Sequence, residues 1–300
     1  MLSLTTIADL IRWGASRFSQ AGLHFGHGTD NAVDEAAALV LHALHLPLDL
    51  HTSWLQCHVT EEEREQVLQL ISRRIDERIP LPYLTGEAWF AGLRFCVSPH
   101  VLIPRSPIAE LIEQGFTPWL DSQSLDRVLD LCCGSGCIGI ATAVHNPECC
   151  VDLVDISREA LTICHENVQL HGLEGRVECI QSDLFSSISS VQYDLILSNP
   201  PYVGRDEMAT LPMEYRHEPA LALEAEEDGL AIVNRILVQA SDYLTPEGVL
   251  IVEVGNSAQL LQEAYPELPF VWLEFERGGD GVFLLGAHDL AQYAATNPQI

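Results

Sequence analysis

Four consecutive residues, Asn199-Pro200-Pro201-Tyr202, set a polar amide, two prolines and an aromatic ring at the end of a strand-like run, Tyr193-Asp-Leu-Ile-Leu-Ser198. Neither proline can donate to a sheet ladder, so the chain must leave the sheet at Asn199 on a stiff backbone. The carboxyl end of a buried strand is where open α/β sheets hold ligands. There the Asn199 side-chain carbonyl and the Pro200 carbonyl offer two acceptors, and Tyr202 offers a flat face. Two acceptors beside a ring suit a planar amino group with two N–H donors, a carboxamide or an exocyclic amine. Asn199, Pro200 and Tyr202 are the candidate catalytic residues, and the whole turn, Pro201 included, is the candidate substrate site. An ordinary Pro-Pro loop exit also explains the tetrapeptide taken alone; the residues upstream weigh against it.

Upstream, Asp126-Arg-Val-Leu-Asp-Leu131 reads as a buried strand, followed by Cys132-Cys-Gly-Ser-Gly-Cys137 and an apolar helix from Ile138 to Val144. Glycines 134 and 136 let backbone come close to a ligand, and the helix N-terminus behind them presents N–H groups to a carboxylate. A second strand, Cys150-Val-Asp-Leu-Val-Asp155, ends in an acid 19 residues after Gly136. That is the position of the ribose-hydroxyl acceptor in a doubly wound nucleotide site. Gly134-x-Gly136-x-x-Gly139 also fits a dinucleotide fingerprint, but Asp130 before the loop and the Asn199 motif after it favour S-adenosylmethionine. A third strand, Arg176 to Gln181, runs into Ser182-Asp-Leu-Phe185. Asp183 there can accept from an adenine amine, and Leu184 can cover the ring. The candidate cofactor residues are Asp130, Cys132, Cys133, Gly134, Ser135, Gly136, Asp155, Asp183, Leu184 and Asn199. Cys132 and Cys133 lie beside a helix N-terminus, which activates thiols, yet small residues packed beside a cofactor is the preferred reading.

The elements that position these residues follow from periodicity. Leu4, Ile7, Leu10, Ile11, Trp13 and Phe18 predict a first helix capped by Thr5 or Thr6. A second helix runs from about Val33 to His45, and Thr60-Glu-Glu-Glu63 is a capping box opening a third, to about Arg78. Residues 1–80 read as a small helical domain. From Pro80 to Pro104 the pattern turns to alternation and breakers, and Gly92 between Trp89-Phe90 and Phe95 predicts a hairpin linking the domains. Ser106 or Pro107 opens a helix beyond it. After the Asn199 turn, a helix from about Gly229 to Tyr243 leads to a strand at Gly248–Val254, and runs at 270–275 and 282–285 complete the sheet around Gly278-Gly-Asp-Gly281.

Composition sets limits. The chain has 300 residues and 47% hydrophobic content, enough for two domains with an ample core. No apolar run approaches the ~18 residues of a membrane span, and the first twenty residues have polar and charged side chains where a signal peptide needs an apolar stretch. A cytoplasmic protein is expected. Nine cysteines form no Cys-x-x-Cys pair, and His27, His42, His45 and His51 are spread over loop and helix positions, where solvated or capping roles are expected. Reduced thiols and no metal are expected. All 15 basic residues are Arg, against 43 acids, for a net charge of -28. Residues 106–300 contribute about -24 of it, with 31 acids against 7 Arg. Such a surface repels DNA and attracts a cationic protein.

With these residues in hand, the chain resembles the HemK-type protein-glutamine N5-methyltransferases. The resemblance extends over nearly all of it: the helical front, Pro82-Tyr-Leu-Thr-Gly86, Phe90-x-Gly-x-x-Phe95, Val101-Leu-Ile-Pro-Arg105, Gly134-Ser-Gly136 and Asn199-Pro-Pro-Tyr202. Release-factor members continue Pro-Arg with Pro-x-Thr-Glu, whereas here Ser106-Pro-Ile-Ala-Glu110 follows. That departure, with Gly26-His-Gly-Thr-Asp-Asn31, Glu214-Tyr-Arg-His-Glu-Pro219 and Gly278-Gly-Asp-Gly-Val-Phe283, is similar to the PrmB-like branch, which methylates a glutamine of large-subunit ribosomal protein L-three. The resemblance implies a class I S-adenosylmethionine-dependent methyltransferase: an α/β, Rossmann-like, seven-stranded, mostly parallel sheet over residues 106–300. It further implies a helical substrate-recognition domain over 1–80 and a β-hairpin linker over 81–105. The implied reaction is direct displacement, with Asn199 and the Pro200 carbonyl each accepting one amide N–H, Tyr202 against the amide and no strong general base. The substrate is then a basic ribosomal protein. The alternatives are a release factor and, against the charge, adenine N6 in DNA; a non-catalytic ribosomal-protein binder would not need both the cofactor loop and Asn199.

Overall fold

The computed structural model of the protein describes residues 4–120, 125–189 and 191–296, without the side chain of Glu227. Two compact units divide it, Met1–Ala88 with Pro212–His217, and Trp89–Leu211 with Glu218–Ile300.

The first unit is helical. Helix α1 (Ile7–Gln20) begins at Thr6, whose hydroxyl accepts from Asp9 N while the Asp9 carboxylate accepts from Thr6 N. Asn31 caps α2 (Ala32–Ala43) by accepting from the N–H groups of Val33 and Asp34. The expected capping box of Thr60 and Glu63 opens α3 (Glu61–Asp76). Leu10, Phe18, Ala36, Leu39, Val40, Val67 and Ile71 form the core among them. Buried Arg74 on α3 is held by three acceptors: Glu35 Oε1 at 2.6 Å, the His24 carbonyl at 2.9 Å and Glu214 Oε1 at 3.4 Å. Glu214 also accepts from Arg78 and from His24 N, so the 212–217 segment is anchored here. Residues 81–85, expected to lie in the linker, form a helical turn, α4 (Leu81–Thr85), closed by Gly86 in the left-handed region. Proline needs no donor in a first helical turn and presets its φ, which is why a breaker-rich run can start a helix.

The hairpin follows as β1 (Glu87–Phe90) and β2 (Leu93–Cys96), turning through Ala91 and Gly92, both at positive φ. Residues 97–105 are irregular. Within the second unit β2 is tied to the sheet layer through Asn167, which accepts from Cys96 N and donates to the carbonyls of Cys96 and Ser135.

The remaining elements are α5 (Ile108–Glu113), β3 (Arg127–Leu131), α6 (Cys137–His145), β4 (Cys150–Asp155), α7 (Arg158–Leu170), β5 (Val177–Gln181), β6 (Tyr193–Ser198), α8 (Arg205–Met208), α9 (Ala231–Gln239), β7 (Leu244–Glu253), α10 (Ala258–Ala264), β8 (Val271–Trp272), β9 (Val282–Gly286) and α11 (Ala287–Thr296). Seven strands pair in the order β5-β4-β3-β6-β7-β9-β8, with β3 to β7 parallel and β9 antiparallel to both neighbours. Their near-continuous apolar sequences suit a sheet covered on both faces. Along β6, Leu195 and Leu197 join one core layer with Ile140 and Leu111, and Ile196 joins the other with Ile236 and Leu250. The strand order reverses between β3 and β6, which opens a crevice at their carboxyl ends.

Gly139, on the first turn of α6, allows that helix to sit on the sheet: a Cβ there would lie 2.2 Å from Leu153 Cδ2 and 3.0 Å from Asp130. Both neighbours are fully buried and cannot withdraw. An alanine gains about 1 kcal/mol in helix propensity, whereas such overpacking costs about 1–3 kcal/mol. Gly139→Ala is therefore expected to lower the melting temperature; a value at or above that of the parent protein contradicts this.

Candidate active site

A cavity of about 240 Å³ occupies the crevice, walled by the carboxyl ends of β3, β4, β5 and β6. Cys132, Cys133, Gly134, Ser135, Asp155, Asp183, Leu184, Asn199 and Pro201 line it. The structure thus brings most of the sequence-selected residues around one cavity.

Two of them stand behind it. Asp130 is fully buried, and its Oδ2 accepts from Gly139 N at 2.8 Å, which fixes the start of α6 against the end of β3. Burial pushes its carboxyl up to about 7, with the neighbouring Asp155 acting in the same sense. Asp130, expected from sequence to contact the cofactor, does not line the cavity; its Oδ2 is turned to the helix start. Gly136 also faces inward. It caps α6 at φ 79°, and a Cβ there would meet Cys164 Sγ at 2.7 Å. Gly134, at φ 54°, faces open space. Asp155 holds the loop from the cavity side, its Oδ2 accepting from Gly134 N at 2.8 Å and its Oδ1 from Ser157 N at 2.8 Å. Burial raises its pKa against those two backbone N–H groups. At the far wall, Asp183 forms an ion pair with Arg235 at 2.8 Å, and Leu184 is held at φ 49°.

The Asn199 turn is clamped. Ser198 Oγ donates to the Leu131 carbonyl at 2.9 Å, which ties the end of β6 to β3. Beyond the prolines, Ser257 Oγ donates to the Tyr202 carbonyl at 3.0 Å, and the Tyr202 hydroxyl donates to Glu253 Oε1 at 3.1 Å. A Cβ at Gly229 would lie 2.1 Å from the Tyr202 carbonyl, and one at Gly255 would lie 2.6 Å from its ring. Pro200 and Tyr202 adjoin the cavity through this turn without lining it.

Sequence reasoning missed a second set of polar residues. Arg105 meets Glu218 through two hydrogen bonds, 2.6 and 2.7 Å, and Glu218 also accepts from Ile103 N, so residues 101–105 and 218–222 close one side of the cavity together. Buried Glu253, the last residue of β7, receives the Tyr202 and Ser106 hydroxyls. Its signal was an acid at a strand end, the same mark that singled out Asp155. Among the described residues no group of three His, Cys, Asp or Glu side chains is placed to hold a metal ion, and no helix is long and apolar enough to cross a membrane.

The parallel sheet with its antiparallel β9, and the glycine loop opposite an Asn-Pro-Pro-Tyr turn, define a class I methyltransferase. Residues 114–214 match the family model of the methyltransferase small domain, and residues 9–86 match the PrmC N-terminal domain. A curated protein of Xanthomonas campestris pv. campestris named ribosomal protein uL3 glutamine methyltransferase is 52% identical over 97% of this chain and 94% of its own length. A protein of the same name from Xylella fastidiosa strain 9a5c is 52% identical over 96% and 92%. The chain belongs to this family of uL3 glutamine methyltransferases. Its fold is also that of the hMettl16 catalytic domain solved in complex with an RNA hairpin, at 16% identity, with a TM-score of 0.50 over 79% of this chain and 85% of that one.

Burial disfavours the thiolate form of the cysteines around the loop. Burial pushes Cys133 and Cys137 each up to about 12 and Cys149 up to about 11, and it raises Cys132 further, with Asp155 adding to the effect. Cys57 and Cys150 are exposed. Iodoacetamide at neutral pH is expected to alkylate Cys57 and Cys150 well before Cys132 or Cys133. Peptide mapping that finds Cys133 modified first contradicts this.

Proposed function

We propose that this chain transfers a methyl group from S-adenosylmethionine to the side-chain amide nitrogen of a glutamine in ribosomal protein uL3. The observation that carries the reading is the shared wall: Asn199 and the glycine loop line the same cavity, so an amide gripped at the turn lies beside a donor held by the loop. The relatives named for this reaction, 52% identical over nearly the whole chain, support the substrate.

The residues fit this cofactor. Asp155, with its partial lone-pair capacity left beyond two backbone N–H groups, accepts the ribose hydroxyls. Asp183, steadied by Arg235, accepts the adenine amine, and Leu184 covers the ring. Cys132, Cys133, Gly134 and Ser135 supply the close backbone surface, with Gly136 and Asp130 behind them. Bound there, S-adenosylmethionine supplies an electrophilic sulfonium methyl.

An amide nitrogen is a poor nucleophile because its lone pair is delocalised into the carbonyl. Asn199 Oδ1 and the Pro200 carbonyl each accept one N–H, which keeps electron density on nitrogen and aims it at the methyl. Tyr202 and Pro201 bound the plane of the amide. Positioning and fixed dipoles then supply the rate. The proton leaves after transfer, when the alkylated amide nitrogen has become strongly acidic. The helical unit reads the substrate, and the acidic catalytic unit steers a basic protein toward the site in the cytoplasm.

The test is incubation with methyl-labelled S-adenosylmethionine alongside unmethylated uL3, a release factor and duplex DNA. Label on uL3 alone, at a glutamine amide, is expected; label on the release factor moves the substrate, and label on DNA overturns the reading. Asn199→Ala is expected to keep cofactor affinity and lose turnover by at least about 10²-fold. Retained turnover contradicts its role.

A further inference from the structure

Glu253 stands one place from the transfer site by strand register. Val252 pairs with Ser198 across the β7 and β6 ladder, which sets Glu253 beside Asn199. Its carboxyl is buried and collects donors. The Ser106 hydroxyl, which itself accepts from Ile108 N at 3.2 Å, donates to Oε2 at 2.5 Å. The Tyr202 hydroxyl donates to Oε1 at 3.1 Å. Burial holds this carboxyl above the usual carboxylate range, while the Ser106 and Tyr202 hydroxyls, Arg105 and the nearby Asn199 side chain act against that.

An asparagine side chain has one donor end and one acceptor end of nearly the same shape, so its neighbours must choose the orientation. A carboxylate can only accept. Facing Glu253, Asn199 must present Nδ2 to it and turn Oδ1 the other way. Only that orientation gives a substrate N–H an acceptor; the reverse sets two amino groups against each other.

We propose that Glu253 is the positioning residue of the methyl-transfer site: it selects the Asn199 orientation that directs Oδ1 at the substrate amide and fixes the Tyr202 ring through its hydroxyl. This rests on the reading of Asn199 given above. Ser106 anchors the other carboxylate oxygen, and Gly255, whose Cβ would strike the Tyr202 ring, keeps the space between them open.

The test is Glu253→Gln, which keeps the shape and adds a donor able to turn Asn199 around. Its kcat is expected to fall about 10²-fold, with KM for uL3 and the Kd for S-adenosylmethionine within about twofold of the parent. Because Glu253→Gln keeps an acceptor for the Tyr202 hydroxyl and so acts through the Asn199 contact, the Asn199→Ala, Glu253→Gln double variant is expected to be no slower than Asn199→Ala alone. Ser106→Ala, which leaves the charge in place, is expected to lower kcat about tenfold at unchanged cofactor Kd. Parent-like kcat in Glu253→Gln overturns the inference, as do effects that multiply in the double variant. Loss of cofactor affinity together with kcat makes Glu253 a structural support and also overturns it. Retained turnover in Asn199→Ala alone identifies a failure of the site reading itself.

Discussion

The second unit depends on where β6 stops. Ser198 is the last residue paired in the ladder, and one residue further on Pro200 and Pro201 have no N–H to give. The strand end is tied down on one side by the Ser198 hydroxyl bond to the β3 carbonyl. On the other side the chain beyond it is gripped at the Tyr202 carbonyl, hydroxyl and ring. Gly229 and Gly255 sit where any side chain would collide with Tyr202. A turn held from so many directions has little freedom to reorganise, which is what electrostatic preorganisation requires of the proposed substrate site.

The proposed cofactor wall is built on the same plan from different residues. Asp130 and Asp155 each use a carboxylate oxygen to hold a backbone N–H, of Gly139 and Gly134 respectively, so the loop is braced from behind and from the front. Close approach of α6 to the sheet needs glycine at 136 and 139, and buried thiols such as Cys133 and Cys164 fill the surrounding volume. The turn at Gly278–Gly281 serves the Asn199 side: a Cβ at Gly281 would lie 2.2 Å from the Gly255 carbonyl, and one at Gly279 would lie 2.8 Å from Pro107. Glycine there lets β9 close against the residues that carry Glu253 and Ser106.

The strands and the Asn199 turn were legible in the sequence because their signals are local: apolar runs ended by an acid, by glycines or by paired prolines. The capping box at Thr60 and a threonine cap at position 5 or 6 were legible for the same reason; the reciprocal bond from Asp9 to Thr6 was not. What escaped were contacts between residues far apart in the chain. Ser106 reaches Glu253 across 147 positions, and Arg105 reaches Glu218 across 113. In the sequence these were motif letters and nothing more. The segment Glu214-Tyr-Arg-His-Glu-Pro219 carries two acids with separate anchors, Glu214 on the helical unit's arginines and Glu218 on Arg105. An acid before a glycine loop says nothing about which way its side chain points, so the bond from Gly139 N to Asp130 is not legible in the sequence. Pro80 to Gly86 was read as breakers because local propensity does not show that prolines in a first turn assist a helix.

The most direct measurement is a crystal structure with S-adenosylhomocysteine and a uL3 peptide whose target glutamine is N5-methylated. The expected result is the amide nitrogen at about 3 Å from an Asn199 or Pro200 oxygen, its remaining N–H donated to one of them, with the methyl pointing at the cofactor sulfur and the Tyr202 ring alongside. An amide nitrogen turned away from both carbonyls, or bound outside the cavity that Asn199 shares with the glycine loop, contradicts it.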